Sequence, residues 1–251
     1  MVTNPYLLTL FGGSAATTTA MSSAEAVTFY NQSLKNADKD TERLRADPMV
    51  KRELASLFKA IDKAKAPEDL LKNPATRRVL MQGLGLADQV DNAGLAIKAL
   101  TSDPSKADSL AKQLPDQRWS SAATQLDFAA SGLKKLKDPT FRQVISDGLV
   151  EYRRLSAISE KSQIVADALS IQALPDSKPN IYTVLGDKVM RRVATTVASL
   201  PDELALQSIE AQARSLSARF DVDHFADPKK REKLIQRYLI TASSSGLSLM
   251  A

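Results

Sequence analysis

Residues 138–160 read DPTFRQVISDGLVEYRRLSAISE, and their pattern decides the fold. Asp138 is placed to cap a helix by accepting from otherwise orphaned backbone N–H groups. Pro139, at the first helical position, gives up only an N–H that had no partner there. Behind them Phe141, Ile145, Leu149, Tyr152, Leu155 and Ile158 recur every three or four residues, the spacing of one helix face. No proline follows and Gly148 is the one glycine before Leu174, so the spacing predicts one long helix with Gly148 as the place for a bend.

The same start recurs at Asp47-Pro48, Asn73-Pro74, Asp103-Pro104 and Asp227-Pro228, and each is expected to open a helix. Behind the first, Val50, Leu54, Leu57, Phe58 and Ile61 form one apolar stripe with Lys51, Arg52, Glu53 and Lys59 outside it. Val27, Tyr30 and Leu34 mark a helix starting near Ser22 or Ser23. Val79, Leu80 and Leu84 mark a shorter one that stops around Gly83-Leu84-Gly85. Further helices are expected at Leu95 to Leu100, from Pro115 to about Ala130, from Val184 to Leu200, and after Pro228. The run VATTV (193–197) is β-branched, but no turn beside it supplies a partner strand, so it stays helical. With only nine glycines, and with Asp147-Gly148 lying inside a helical pattern rather than at a hairpin turn, the chain reads as all-α. The expected architecture is bundle-like, about nine to eleven helices in two packed subdomains. Pro175-Asp176-Ser177-Lys178-Pro179 gives the boundary between residues 22–174 and 180–242. Residues 1–21 read as a flexible leader and 243–251 as a flexible tail.

The 251 residues are 43% hydrophobic, 25% charged and 5% aromatic, the composition of an ordinary globular protein. No cysteine is present, which excludes disulfides, thiolate metal sites and cysteine nucleophiles. The single histidine, His224, excludes multi-histidine metal sites. Thirty-four basic against 29 acidic residues give a net charge of +5, spread along the chain. The apolar run Tyr6 to Phe11 has no Lys or Arg before it, so a cleaved secretory signal is not expected. Charges interrupt every segment well short of the ~20 apolar residues of a membrane helix. The expected location is the cytoplasm.

Asp221, Asp223, Asp227 and Glu232 fall at the first, third, seventh and twelfth positions of a calcium-loop pattern. The pattern fails at Phe225, at Ala226 where the sharp turn needs Gly, and at Pro228, which starts a helix. No metal is expected there, and His224 reads as a hydrogen-bonded turn residue. Gly83-Leu84-Gly85 lacks the third glycine of a dinucleotide loop, and Gly12-Gly13-Ser14 has no sheet to make a nucleophile elbow. No catalytic residue and no cofactor is therefore assigned, and the chain is read as a non-enzyme. The doublets Lys51-Arg52, Arg77-Arg78, Lys134-Lys135, Arg153-Arg154, Arg191-Arg192 and Lys229-Lys230 are interleaved with Glu53, Asp138, Glu151, Asp187 and Glu232. They read as solvated faces rather than a nucleic-acid footprint. Leu206, Ile209, Ala213, Leu216 and Phe220 recur as a seam of about two heptads. That seam is the candidate interaction surface.

Several phrases carry a family resemblance: Asp47-Pro48 with Val50 and Glu53, Glu68-Asp69-Leu70-Leu71, and Leu80 with Gly83-Leu84-Gly85-Leu86. To these add Ile181-Tyr182-Thr183-Val184-Leu185-Gly186, and Gln212 through Arg219-Phe220-Asp221 to Phe225, Asp227-Pro228 and Ile235-Gln236-Arg237-Tyr238-Leu239. Over about Ala24 to Ile240 the chain resembles domain of unknown function 1217, an uncharacterised alphaproteobacterial family whose genes often lie in flagellar regions. These motifs are caps, apolar anchors and turns, so the family brings no catalytic or ligand residues. Gly83 departs from its pattern, which leads one to expect a larger apolar residue. The resemblance implies an association with flagellar assembly or function, through protein partners, with export through the flagellar apparatus as the alternative location. The expectation is a non-enzymatic helical interaction protein. The alternatives are a nucleic-acid-binding helical protein and an enzyme using carboxylates in a pocket not visible from sequence.

Overall fold

The computed structural model describes residues 21–248, with side chains described through residue 244. Helices α1 (Ser23–Lys35), α2 (Ala37–Ala46), α3 (Pro48–Lys63), α4 (Pro67–Lys72), α5 (Pro74–Gly83) and α6 (Ala93–Leu100) lead to α7 (Arg118–Leu126) and the long α8 (Pro139–Ser159). The chain continues as α9 (Gln163–Gln172), α10 (Ile181–Gly186), α11 (Lys188–Val197), α12 (Ile209–Ser217) and α13 (Pro228–Ser248). One-turn segments at Leu110–Gln113, Phe128–Ser131, Lys134–Lys137 and Asp223–Ala226 fill the joints, with 3₁₀ turns at Ala87–Gln89 and Asp202–Leu206. The protein is all-α, with no strand among the described residues. The thirteen numbered helices already exceed the expected nine to eleven, and the one-turn pieces add to them; a single turn has no periodicity for a sequence pattern to reveal.

Four of the five Asp/Asn-Pro pairs cap helices. Asp47 accepts from Met49 and Val50, Asn73 from Ala75 and Thr76, Asp138 from Phe141, and Asp227 from Lys230. Asp103-Pro104 does not open one. Its carboxylate instead closes a turn on the Ser105 N–H and hydroxyl, and no helix forms until Leu110. The residues after it, Ser105 to Ser109, offer almost nothing apolar to bury, and a cap without a packed face does not hold a helix. The Pro139 helix spans its whole predicted apolar spacing, from Phe141 to Ile158. It runs unbroken through Gly148 but stops at Ser159, and Ser162 caps α9 by accepting from the Val165 N–H. The polar run Ser159-Glu160-Lys161-Ser162 is the interruption. VATTV lies inside α11 and is helical.

The buried apolar side chains form two clusters. The first runs from Val50 to Val150 and draws on α3 to α8. The second runs from Ile158 to Leu239 and also takes Ala26 from α1. The divide in the core therefore lies within α8, which gives Ile145, Leu149 and Val150 to one cluster and Ile158 to the other. The Pro175–Pro179 turn, the boundary expected from the sequence, is a surface connection inside the second cluster. A long amphipathic helix can serve two cores without any break in its pattern, so nothing in the sequence marks the real divide. Residues 1–20 of the expected leader and 249–251 of the expected tail lie outside the described residues. From residue 243 to Ser248 the chain continues α13, and Ser243 is buried.

Candidate interaction groove

Helices α1 and α13 lie side by side although they stand at opposite ends of the chain. Ala26, fully buried, lets the two backbones approach, and the Ser23 hydroxyl donates to the Ile240 carbonyl at 3.3 Å. Toward the other end the Tyr30 hydroxyl donates to Gln172 Oε1 at 3.3 Å. Along their length the two helices leave a concavity of about 660 Å³ lined by Val27, Tyr30, Leu34, Ile235, Leu239 and Ile240. Val27, Tyr30 and Leu34 follow one another at three and four residues along α1, and Ile235 and Leu239 at four along α13, so each helix turns a stripe into the groove. Leu34 remains 42% and Ile240 53% exposed, which leaves the stripe unfinished. Lys229 and Glu232 stand on the rim. Burial, with the Glu232 charge nearby, pushes the Tyr30 phenol up.

The predicted seam from Leu206 to Phe220 is not one surface. Ala213, Leu216 and Phe220 are buried in the second cluster, whereas Leu206 is 87% exposed and Ile209 is partly so. Leu206 belongs to a 3₁₀ turn, and Ser208 then caps α12 by accepting from the Ala211 N–H. The three-residue step from Leu206 to Ile209 thus crosses a bend and does not lie along a helix face.

Of the calcium-loop carboxylates, those of Asp221, Asp223 and Asp227 are already engaged, and Glu232 lines the groove instead. Asp221 accepts from the Asp223 N–H, Lys178 Nζ lies 2.7 Å from Asp223, and Lys230 Nζ lies 3.5 Å from Asp221. The Asp223 N–H, with Lys230 beside it, holds the Asp221 carboxyl below the usual range. His224 is a hydrogen-bonded turn residue whose Nδ1–H donates to the Asp221 carbonyl at 2.7 Å.

Several arginines of the basic doublets are engaged within the fold. Arg77, from one of them, is buried and donates to the Val90 and Leu71 carbonyls, both at 2.8 Å, pinning the loops around α5. Arg78 and Arg153 share Glu53, and Arg154 pairs with Glu151 at 2.7 Å.

The sequence reading missed a buried ionic centre. Asp167, 1% exposed, accepts from Arg192 Nε and Nη2 at 2.6 and 2.8 Å, from the Tyr238 hydroxyl at 2.7 Å and from Gln163 Nε2 at 2.8 Å. Burial, reinforced by the Asp167 charge, pushes the Tyr238 phenol well up. Burial is the largest influence and opposes the Arg192 charge, but the Asp167 hydrogen bond and the Asp167 and Tyr238 interactions together outweigh it and hold that pKa above its ordinary value. With four donors on it, the Asp167 carboxylate has no lone pair to offer a substrate proton, so the centre works as a tie between α9, α11 and α13. The one sequence signal for it was a lone acid inside the apolar run Ile164 to Ile171. Arg231 was missed in the same way. It is buried and donates to the Phe225 and Leu174 carbonyls at 2.9 and 2.7 Å and to Asp176 at 2.7 Å.

The profile of a family described as "Protein of unknown function (DUF1217)" matches residues 83–230. A crystal structure of a protein from Agrobacterium tumefaciens, solved by a structural-genomics consortium, superposes with a TM-score of 0.72. The two chains are 21% identical, and the match covers 86% of this chain and 92% of the other, a likeness of fold. No curated protein matches the chain.

Proposed function

Because the chain belongs to this family of unknown function, DUF1217, whose description carries no activity, we propose a role from the groove: a non-enzymatic interaction protein that receives an amphipathic helix of a protein partner. The single observation that carries the proposal is the unfinished stripe of Leu34 and Ile240 over an apolar floor. Lys229 and Glu232, three residues apart on the rim, fit a partner stripe flanked by charges of both signs. The flagellar setting is drawn from the family resemblance, and within it the partner belongs to flagellar assembly or function. Among the described residues no helix is long and apolar enough to cross a membrane, so the partner is met without an anchor in those residues.

The test uses Leu34→Glu with Ile240→Glu in the full chain. Both side chains are largely outside the core, so the helical circular dichroism and the melting temperature should hold. In a deletion strain the wild-type gene should restore swimming and the double variant should not, with the partner identified by the wild-type chain missing from the variant. A folded double variant that restores swimming and keeps that partner overturns the reading.

A further inference from the structure

Beyond the groove, on a different face of α13, the charge pattern departs from that of the rest of the molecule. Most arginines elsewhere are spent on partners: Arg118 on Asp116 and Asp88, Arg142 on Asp62, Arg153 on Glu53, Arg192 on Asp167; Arg52 and Arg214 have none among the described residues, but they lie outside the cleft. Arg219, Lys233 and Arg237 instead line one cleft of about 190 Å³, and none of these side chains has an ion-pair or hydrogen-bond partner among the described residues. Lys233 and Arg237 stand one turn apart on α13, and Arg219 comes from the segment that leaves α12. Asp221 is the one acid in the lining, and its charge is already met by the Asp223 N–H and Lys230. His224 also lines the cleft; its Nδ1–H is committed to the Asp221 carbonyl, which leaves Nε2 as its unpartnered ring nitrogen. The cleft floor is apolar, made by Phe220 and Leu234.

We propose that this cleft is a binding site for a compact phosphoryl anion. Three cations converging from two elements suit a tetrahedral group of nearly two negative charges, which offers acceptors in several directions. A carboxylate offers one charge and two acceptors in a plane. Arg219 and Arg237 supply planar forks that match phosphate oxygens, and Lys233 a mobile point charge. The volume admits a phosphoryl head with a small body, and Phe220 and Leu234 give that body an apolar seat. The site would thus take free phosphate or a small phosphomonoester.

Titration calorimetry on the full chain at fixed ionic strength tests this, with inorganic phosphate and phenyl phosphate as the probes. Wild type should bind, and Arg219→Gln and Arg237→Gln should each weaken binding about tenfold, the worth of one charge-assisted contact. Both side chains are exposed, so the melting temperature in chloride should not move. Lys229→Gln makes the same charge change away from the cleft and should bind as wild type does. Tighter binding of phenyl phosphate assigns the site to a phosphomonoester, and equal binding assigns it to the phosphoryl head; either supports the proposal. Failure of the wild type to bind both probes, binding by Arg219→Gln and Arg237→Gln equal to wild type, or an equal loss in Lys229→Gln overturns it.

Discussion

Gly83 and Gly148 touch backbone to backbone: a Cβ built on Gly148 would lie 2.0 Å from the Gly83 carbonyl oxygen, and one built on Gly83 would lie 2.7 Å from the carbonyl oxygen of Ile145. Helices α5 and α8 therefore cross where neither carries a side chain, and the long helix stays continuous through its glycine. Gly83, the departure from the family pattern, and Gly148, the expected bend, are two halves of one contact.

Gly148→Ala should destabilise the protein by about 1–3 kcal/mol, because overpacking outweighs the ~1 kcal/mol that alanine gains in a helix. Gly94→Ala, in α6 with nothing within 4 Å of the added Cβ, should be neutral or stabilising by up to ~1 kcal/mol. Urea denaturation of the two variants gives the comparison; equal effects would refute the close crossing.

Asp167→Asn should cost about 2–4 kcal/mol, since it leaves Arg192 without its counter-charge beside a buried phenol. The loss is read from the same denaturation curves, and a change under ~0.5 kcal/mol would mean the centre ties nothing.

Tyr238 gives a pH signature. Its folded-state pKa is raised above the ordinary 10.0, so the native state holds the proton more tightly and stability is present in full below pH 10. Above pH 10 the unfolded chain releases that proton first, and stability falls by up to ~1.4 kcal/mol per pH unit for this group. Tyr30, raised in the same direction, adds to the wild-type slope. Tyr238→Phe should lower stability at pH 7 by ~1 kcal/mol but flatten the decline above pH 10. Denaturation between pH 8 and 11 checks it, and parallel curves would contradict it.

Arg231→Lys keeps the charge but not the fork that reaches Phe225, Leu174 and Asp176. It should lose about 1–3 kcal/mol and speed amide exchange around residues 174–176. Unchanged exchange there would show that the turn does not depend on Arg231.

The seam divides into two outcomes. Leu216→Asp puts a charge in the second cluster and should unfold the chain, whereas Leu206→Asp, at 87% exposure, should stay within about 0.5 kcal/mol of wild type.

The helices were legible wherever a cap was followed by an apolar stripe, as at Asp47 with Val50 to Ile61. At Asp103 the cap stood without a stripe and no helix formed. The core divide was hidden because α8 keeps one spacing while changing partners. The groove was illegible because it needs α1 and α13, some 200 residues apart in the sequence, to meet. In the sequence its residues read as two separate helices. The Asp167 centre depends on three helices converging, for which the local pattern offers only an acid among apolar neighbours.

We propose that the groove between α1 and α13 holds a partner helix. A photo-crosslinking residue at Ile240, in motile cells, should give a discrete adduct mapping to an amphipathic helix of one protein. Leu34→Glu should abolish that adduct, and the same probe at Leu206 should not produce it. An adduct that survives Leu34→Glu, or one formed equally from position 206, would contradict the account.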